Sequence, residues 1–182
     1  MPQQRVRYVL FEGAACGVLG HGLDTARFEK DLSPFVSDVE SGRVRLLALY
    51  LDVDLTLDCG VDEAALYLNG ARVWSASNPW QPLQGCAPRR YEDRVPVDYS
   101  LIRQRPRVEL EIHIRKNWAW GTVCANGSVA LVAYVEAPEG YRPPGEQSEW
   151  VDLAKWLAIG AAGAMGVAVS AAAASRALRR RR

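Results

Sequence analysis

The chain has 182 residues, with 22 Lys+Arg against 21 Asp+Glu and a formal charge of +1; it has room for one domain plus an anchor, and the chain as a whole lacks nucleic-acid-binding character. The 4 cysteines (Cys16, Cys59, Cys86 and Cys124) form no C-x-x-C pair, which argues against a zinc ribbon or a thioredoxin-type motif. There is no P-loop, Gly-rich nucleotide motif or H-E-x-x-H, no Ser, Cys or Asp forms an elbow or triad pattern around His113, and no His or Met soon follows Cys124 as a blue-copper site requires. The expectation is a protein without catalytic activity, cofactor or metal.

Residues 1–43 form an N-terminal segment with little periodicity. Arg5 to Phe11 reads as a strand. Asp24 to Val39 places Phe28, Leu32, Phe35 and Val36 at spacings that suit a short helix, interrupted by Pro34. The run YVLFEGAACGVLGHGL is broken by Glu12 and soon followed by Asp24, so it does not read as a secretory signal.

From Val44 the pattern sharpens. LLALYLDVDLTLDCG puts Leu47, Leu49, Leu51, Val53, Leu55 and Leu57 on one face and Tyr50, Asp52, Asp54, Thr56 and Asp58 on the other, a long half-buried antiparallel strand. In AALYLNGARVW, Asn69-Gly70 lies between two β-rich runs and predicts a type I′ hairpin. Ser75 to Arg94 reads as a Pro-rich polar loop. Val95 to Tyr99, Val108 to Arg115 and Ser128 to Glu136 read as further strands, the last of them uniformly apolar like a central strand.

These runs place a β-sandwich at 44–137 and a Pro/Gly linker at 138–149. A transmembrane helix is expected at 150–176 and a basic tail at 177–182. Trp156 to Ser175 carries no charge over a length near the ~20 residues that span a bilayer core. Trp150 and Trp156 mark an interface and Lys155 can snorkel. Gly160, Ala164 and Ala168 form a small-residue stripe that lets another helix approach closely. Arg176, Arg179, Arg180, Arg181 and Arg182 act either as a topology determinant or as phosphate contacts to anionic lipid or nucleic acid.

The hairpin AALYLNGARVW and the later RVPVDYSLIRQRPRVELEIHIRKNWAWG resemble a galactose-binding-like jelly roll over about residues 44–137. The resemblance implies an all-β, antiparallel jelly-roll-like sandwich. The Gly and Asn common before the later strand in that family are replaced here by Arg105, Pro106 and Arg107, so no sugar-binding residue is carried over.

Several residues are candidates for a site. Asp52, Asp54 and Asp58, with Asp62 and Glu63 nearby, suit either calcium or, as preferred here, a solvated sheet face that discourages edge pairing. Trp74, Trp80, Trp118 and Trp120 make either an aromatic platform for a glycan or protein partner, or core packing at one end of the sandwich. The cysteines fit two disulfides or four buried thiols, and Cys59 with Cys86 is the first pair to test. Asn126-Gly127-Ser128 is a glycosylation sequon, relevant only outside the cell.

Two functions follow. The preferred one is a non-enzymatic, tail-anchored structural surface protein forming a homo-oligomer or lattice. In arrangement it resembles coat proteins of membrane-containing viruses of thermophilic hosts. The alternative is a cell-surface module that binds carbohydrate or protein and is held by its C-terminal helix. Both are single-pass membrane proteins, of the virion or of the cell envelope.

Overall fold

The computed structural model describes residues 2–17, 23–80, 86–116 and 122–143. The chain divides into two compact units, Met1–Glu146 and Gln147–Arg182, and every described residue belongs to the first. The expected transmembrane helix, its small-residue stripe and the terminal arginines therefore lie outside the described residues. No helix among the described residues is long and apolar enough to cross a membrane.

Among the described residues eight strands form two antiparallel sheets. They are β1 (Gln3–Gly17), β2 (Leu23–Asp31), β3 (Arg45–Leu57), β4 (Val61–Leu68), β5 (Ala71–Asn78), β6 (Arg89–Pro96), β7 (Arg107–Lys116) and β8 (Val123–Glu136). The first sheet has the order β1-β8-β3-β6 and the second β2-β7-β4-β5. Apart from the β4–β5 hairpin, each strand hands the chain to the opposite sheet. The pairs β1·β8, β2·β7, β3·β6 and β4·β5 are those of one long hairpin rolled up on itself.

β1 and β2 are thus strands of the sandwich, where the sequence suggests a segment ahead of it. Where a helix is expected from Asp24, the structure has β2, because Ala26 and Phe28 alternate inward against β7 with Phe28 opposite Leu110. The helix that follows, α1 (Ser33–Glu40), begins with Pro34 in its first turn, where a missing N–H costs nothing. Asp31 Oδ1 accepts from the Ser33 N–H at 2.9 Å and ends the strand there. Phe35 packs on Tyr8, ring centroids 5.5 Å apart, and closes the core beneath β1. A second short helix, α2 (Ser100–Gln104), connects β6 to β7.

In β3, Leu49, Leu51, Val53, Leu55 and Leu57 face the core as the alternation requires. Leu47 does not: it is 40% exposed, because the register against β8 slips between Leu46 and Ala48, and Leu46 packs inward instead. The slip is a bulge, and it reverses the face of every residue before it. The expected loop at Ser75 to Arg94 is shorter, since β5 continues to Asn78 and β6 begins at Arg89.

Asn69, with φ of 51°, and Gly70, with φ of 86°, make the hairpin turn. The Asn69 side chain also does long-range work. Its Nδ2 donates to the carbonyls of Leu101 at 2.7 Å and Arg105 at 3.0 Å, and its Oδ1 accepts from the Glu109 N–H at 2.8 Å. The turn is thereby tied to α2 and to the start of β7.

All four cysteines are paired. Cys16 and Cys124 occupy directly opposed positions on β1 and β8 with Cα atoms 4.1 Å apart. Cys59, in the β3–β4 turn, is joined to Cys86, ahead of β6, with Cα atoms 5.6 Å apart.

Candidate functional site

The outward face of the first sheet carries a connected set of ion-paired side chains. Its central strand β8 presents small residues there, Ser128, Ala130 and Val132, while β3 presents Asp52 and Asp54 and β6 presents Arg90, Glu92 and Arg94. The result is a trough of about 570 Å³ bordered by Arg5, Arg7, Asp52, Asp54, Arg90 and Arg94.

Two guanidinium forks close on two carboxylates. Arg94 donates through Nε to Asp52 Oδ1 at 2.6 Å and through a terminal nitrogen to Oδ2 at 2.9 Å. Arg90 grips Asp54 the same way, at 2.9 Å on both oxygens. Arg5, on β1, reaches across β8 to Asp52 Oδ2 at 3.2 Å. Beneath this span, Ala130 and Val132 are buried although they point outward. Arg94 also donates to the Tyr134 hydroxyl and lies over the Tyr50 ring, 5.7 Å from its centroid. The hydrogen bonds from Arg94, reinforced by its charge and that of Arg5, hold the Asp52 carboxyl below its usual pKa. The Arg90 hydrogen bonds do the same for Asp54. A carboxylate so engaged is a poor proton donor or acceptor at neutral pH, so this face suits rigidity rather than acid–base chemistry.

No protein-family model and no curated protein matches the sequence. Solved structures similar in fold include the glycoside hydrolase BuGH86 in complex with neoagarooctaose, at 14% identity, covering 72% of this chain and 19% of that one, with a TM-score of 0.41. Another is BpGH86A, a β-porphyranase of glycoside hydrolase family 86 from the human gut bacterium Bacteroides plebeius, at 11% identity, covering 74% of this chain and 21% of that one, with a TM-score of 0.40. The chain thus spans about a fifth of the length of those enzymes. At such identities and TM-scores nothing about activity transfers.

The remaining sequence candidates do not converge. Glu63, on β4, faces outward from the second sheet and sits between Arg72 and Arg115, so it is on the opposite side of the sandwich from Asp52 and Asp54. Asp58 Oδ2 accepts from the Cys124 backbone N–H at 2.9 Å. Among the described residues no three His, Cys, Asp or Glu side chains come together as a metal site. Trp74 is not part of a surface platform. It is 8% exposed, lies edge-on to Tyr91, and donates its indole N–H to Asp93 at 2.7 Å. Its place on the inward-pointing set of β5 dictates this. Trp80 is 38% exposed, and Trp118, Trp120 and His21 lie outside the described residues. Asn126 is exposed on the trough side of β8, between Ala14 and Thr56, and Gly127 beside it has φ of 143° and passes so close to the Asp54 carbonyl that a Cβ would not fit.

The arginines are what sequence reading missed. In RRYEDRVP, Arg90, Glu92 and Arg94 alternate with Tyr91 and Val95, a period of two that marks a strand, but its partners lie some 40 residues earlier and only pairing reveals them.

Proposed function

We propose that the protein is a non-enzymatic, membrane-anchored surface protein whose sandwich is a rigid structural tile, with a coat of a membrane-containing virus of a thermophilic host as the setting that fits best. The observation that carries this is the clamped outer face. Asp52 and Asp54 are each locked by an arginine fork, and the trough offers a braced surface rather than a reacting pair of groups. The strand order β1-β8-β3-β6 over β2-β7-β4-β5 supports the finer reading of a jelly roll, an architecture used by capsid and lectin domains. The uncharged stretch from Trp156 to Ser175 and the arginines after it support the anchor, with the tail arginines meeting lipid or genome phosphates.

Membrane fractionation tests this reading. Full-length protein should sediment with membranes, resist high salt and alkaline carbonate, and dissolve only in detergent, whereas a chain ending at Glu149 should stay soluble. Recovery of the full chain in the soluble fraction without detergent overturns it.

A second reading is an exported binding module, favoured by the pairing of Cys16 with Cys124 and of Cys59 with Cys86. Disulfides suit an oxidising compartment, although the interior of hyperthermophilic cells also tolerates them. Protease added to intact cells decides between the two. A structural protein awaiting assembly inside is spared, while an exported module is digested and carries a glycan on Asn126 where the host glycosylates.

A further inference from the structure

The opposite face of the sandwich holds a smaller and more enclosed feature. On the outward side of the second sheet, Ala65 is flanked in register by His113 of β7 and Ser75 of β5. A methyl group among long side chains leaves a notch of about 300 Å³, bordered by Leu23, Glu63, Tyr67, His113 and Arg115. One wall is aromatic, since the Tyr67 and His113 rings lie 4.4 Å apart at 32°. Facing it is Leu23, one of the large apolar side chains most exposed among the described residues at 57%. Ligand sites combine apolar walls with a few placed polar groups, and this notch is at the small end of their range, with room for a single ring.

The polar groups have a consistent bias. The carboxylates are occupied: Glu63 lies between Arg72 and Arg115, and Glu111, the partner of His113, takes Arg27 at 3.0 Å and His113 Nε2 at 2.7 Å. The donors are not. Arg115 commits one terminal nitrogen to Glu63 at 3.1 Å and is otherwise exposed. Among the described residues the Tyr67 hydroxyl has no hydrogen-bond partner, while His113, whose Nε2–H is given to Glu111, turns Nδ1 to the notch side as an acceptor and serves as a wall rather than a donor. A ligand that satisfies this notch presents a flat or saturated ring to the walls and an acceptor, best an anionic one, to Arg115.

We infer that the notch over Ala65 binds a carboxylate-bearing ring, with the ring against Tyr67, His113 and Leu23 and the carboxylate on Arg115. This goes beyond the structural reading of the protein and does not depend on it. Two sources share the chemistry, an acidic sugar residue and an aromatic acid, and the test separates them.

Full-length protein in detergent micelles is titrated by saturation-transfer NMR with methyl glucuronide and with benzoate. Methyl glucoside supplies a ring without the acid, and acetate the acid without a ring. At least one ring acid should bind saturably, and both controls at least about tenfold more weakly, the worth of one charge-assisted hydrogen bond or one apolar wall. Glucuronide binding assigns an acidic sugar and benzoate binding an aromatic acid. Arg115→Gln, at an exposed position, should weaken the ring acid about tenfold with an unchanged melting temperature. Ala65→Leu fills the notch and should abolish binding, again with the fold intact by circular dichroism. Absence of binding by both ring acids, equal binding by the neutral glucoside, or retained binding in folded Ala65→Leu overturns the assignment.

Discussion

Removing the side chain of Asn69 isolates the energy that holds the β4–β5 turn to the rest of the sandwich. Asn69→Gly keeps a residue at home with φ of 51° but deletes three hydrogen bonds, to the Leu101 and Arg105 carbonyls and from the Glu109 N–H. At a net ~1 kcal/mol each these sum to about 3 kcal/mol, and the extra freedom of glycine in the unfolded chain adds a few tenths more. Asn69→Ala loses the same bonds and, unlike the glycine variant, keeps a Cβ in the left-handed region without the local hydrogen bonding that lets Asn tolerate it, so it should be ~1–2 kcal/mol less stable than Asn69→Gly. Asn69→Asp should fall well below wild type too, because it sets a carboxylate oxygen against two carbonyls it cannot bond. Urea unfolding followed by tryptophan fluorescence should show these losses as midpoint shifts at constant m. A loss under about 1 kcal/mol for Asn69→Gly, or an alanine variant as stable as the glycine one, would refute the reasoning.

Leu51→Ala or Leu55→Ala should each cost about 2–5 kcal/mol, since both are fully buried, while Leu47→Ala at the bulge should be nearly neutral by the same unfolding assay. Asp52→Asn should cost about 1 kcal/mol near neutral pH, a modest sum because the Arg94 partner is half exposed, and less at high salt. Asp52 has its folded pKa lowered, so its contribution is present above the unfolded carboxylate value and lost as pH falls through the folded one. The gap between Asp52→Asn and wild type should therefore close below about pH 4, and a gap that widens on acidification would contradict the ion pairing. Replacing Cys59 and Cys86 together by serine should lower stability by about 3–4 kcal/mol on the loop-entropy estimate for a sequence separation of 27, read by thermal melting with and without reductant.

How far the fold could be read in advance varied with the strand's place in its sheet. β3 and β7 are central, buried on one face and polar on the other, and their alternation is plain in LLALYLDVDLTL and VELEIHIR. β2 and β6 are edges, where only Phe28, Tyr91 and a few neighbours need to be apolar, so the period is diluted by charge. The Asn-Gly turn was legible because it demands positive φ, but the reach of its side chain to Leu101 was not, being a contact across 32 residues. The acidic face of β3 was visible in the sequence. That it is locked by Arg90 and Arg94 depends on a pairing no local pattern encodes. Leu47 shows the limit of periodicity itself, since one inserted residue exchanges inside for outside.

The pairing of the first strand with the last governs when this protein can fold. Among the described residues β1 bonds only to β8, with Gln3 opposite Glu136, so its inward residues Val6, Tyr8 and Phe11 have no sheet partner until β8 has been synthesised. The nascent chain therefore carries β1 and its buried apolar residues unpaired until β8 has been made, and closure waits on contacts of large sequence separation. Such topologies fold slowly and expose unpaired strands meanwhile. Cys16 and Cys124 meet only at that last step, which makes the appearance of their disulfide a clock for the completion of the first sheet.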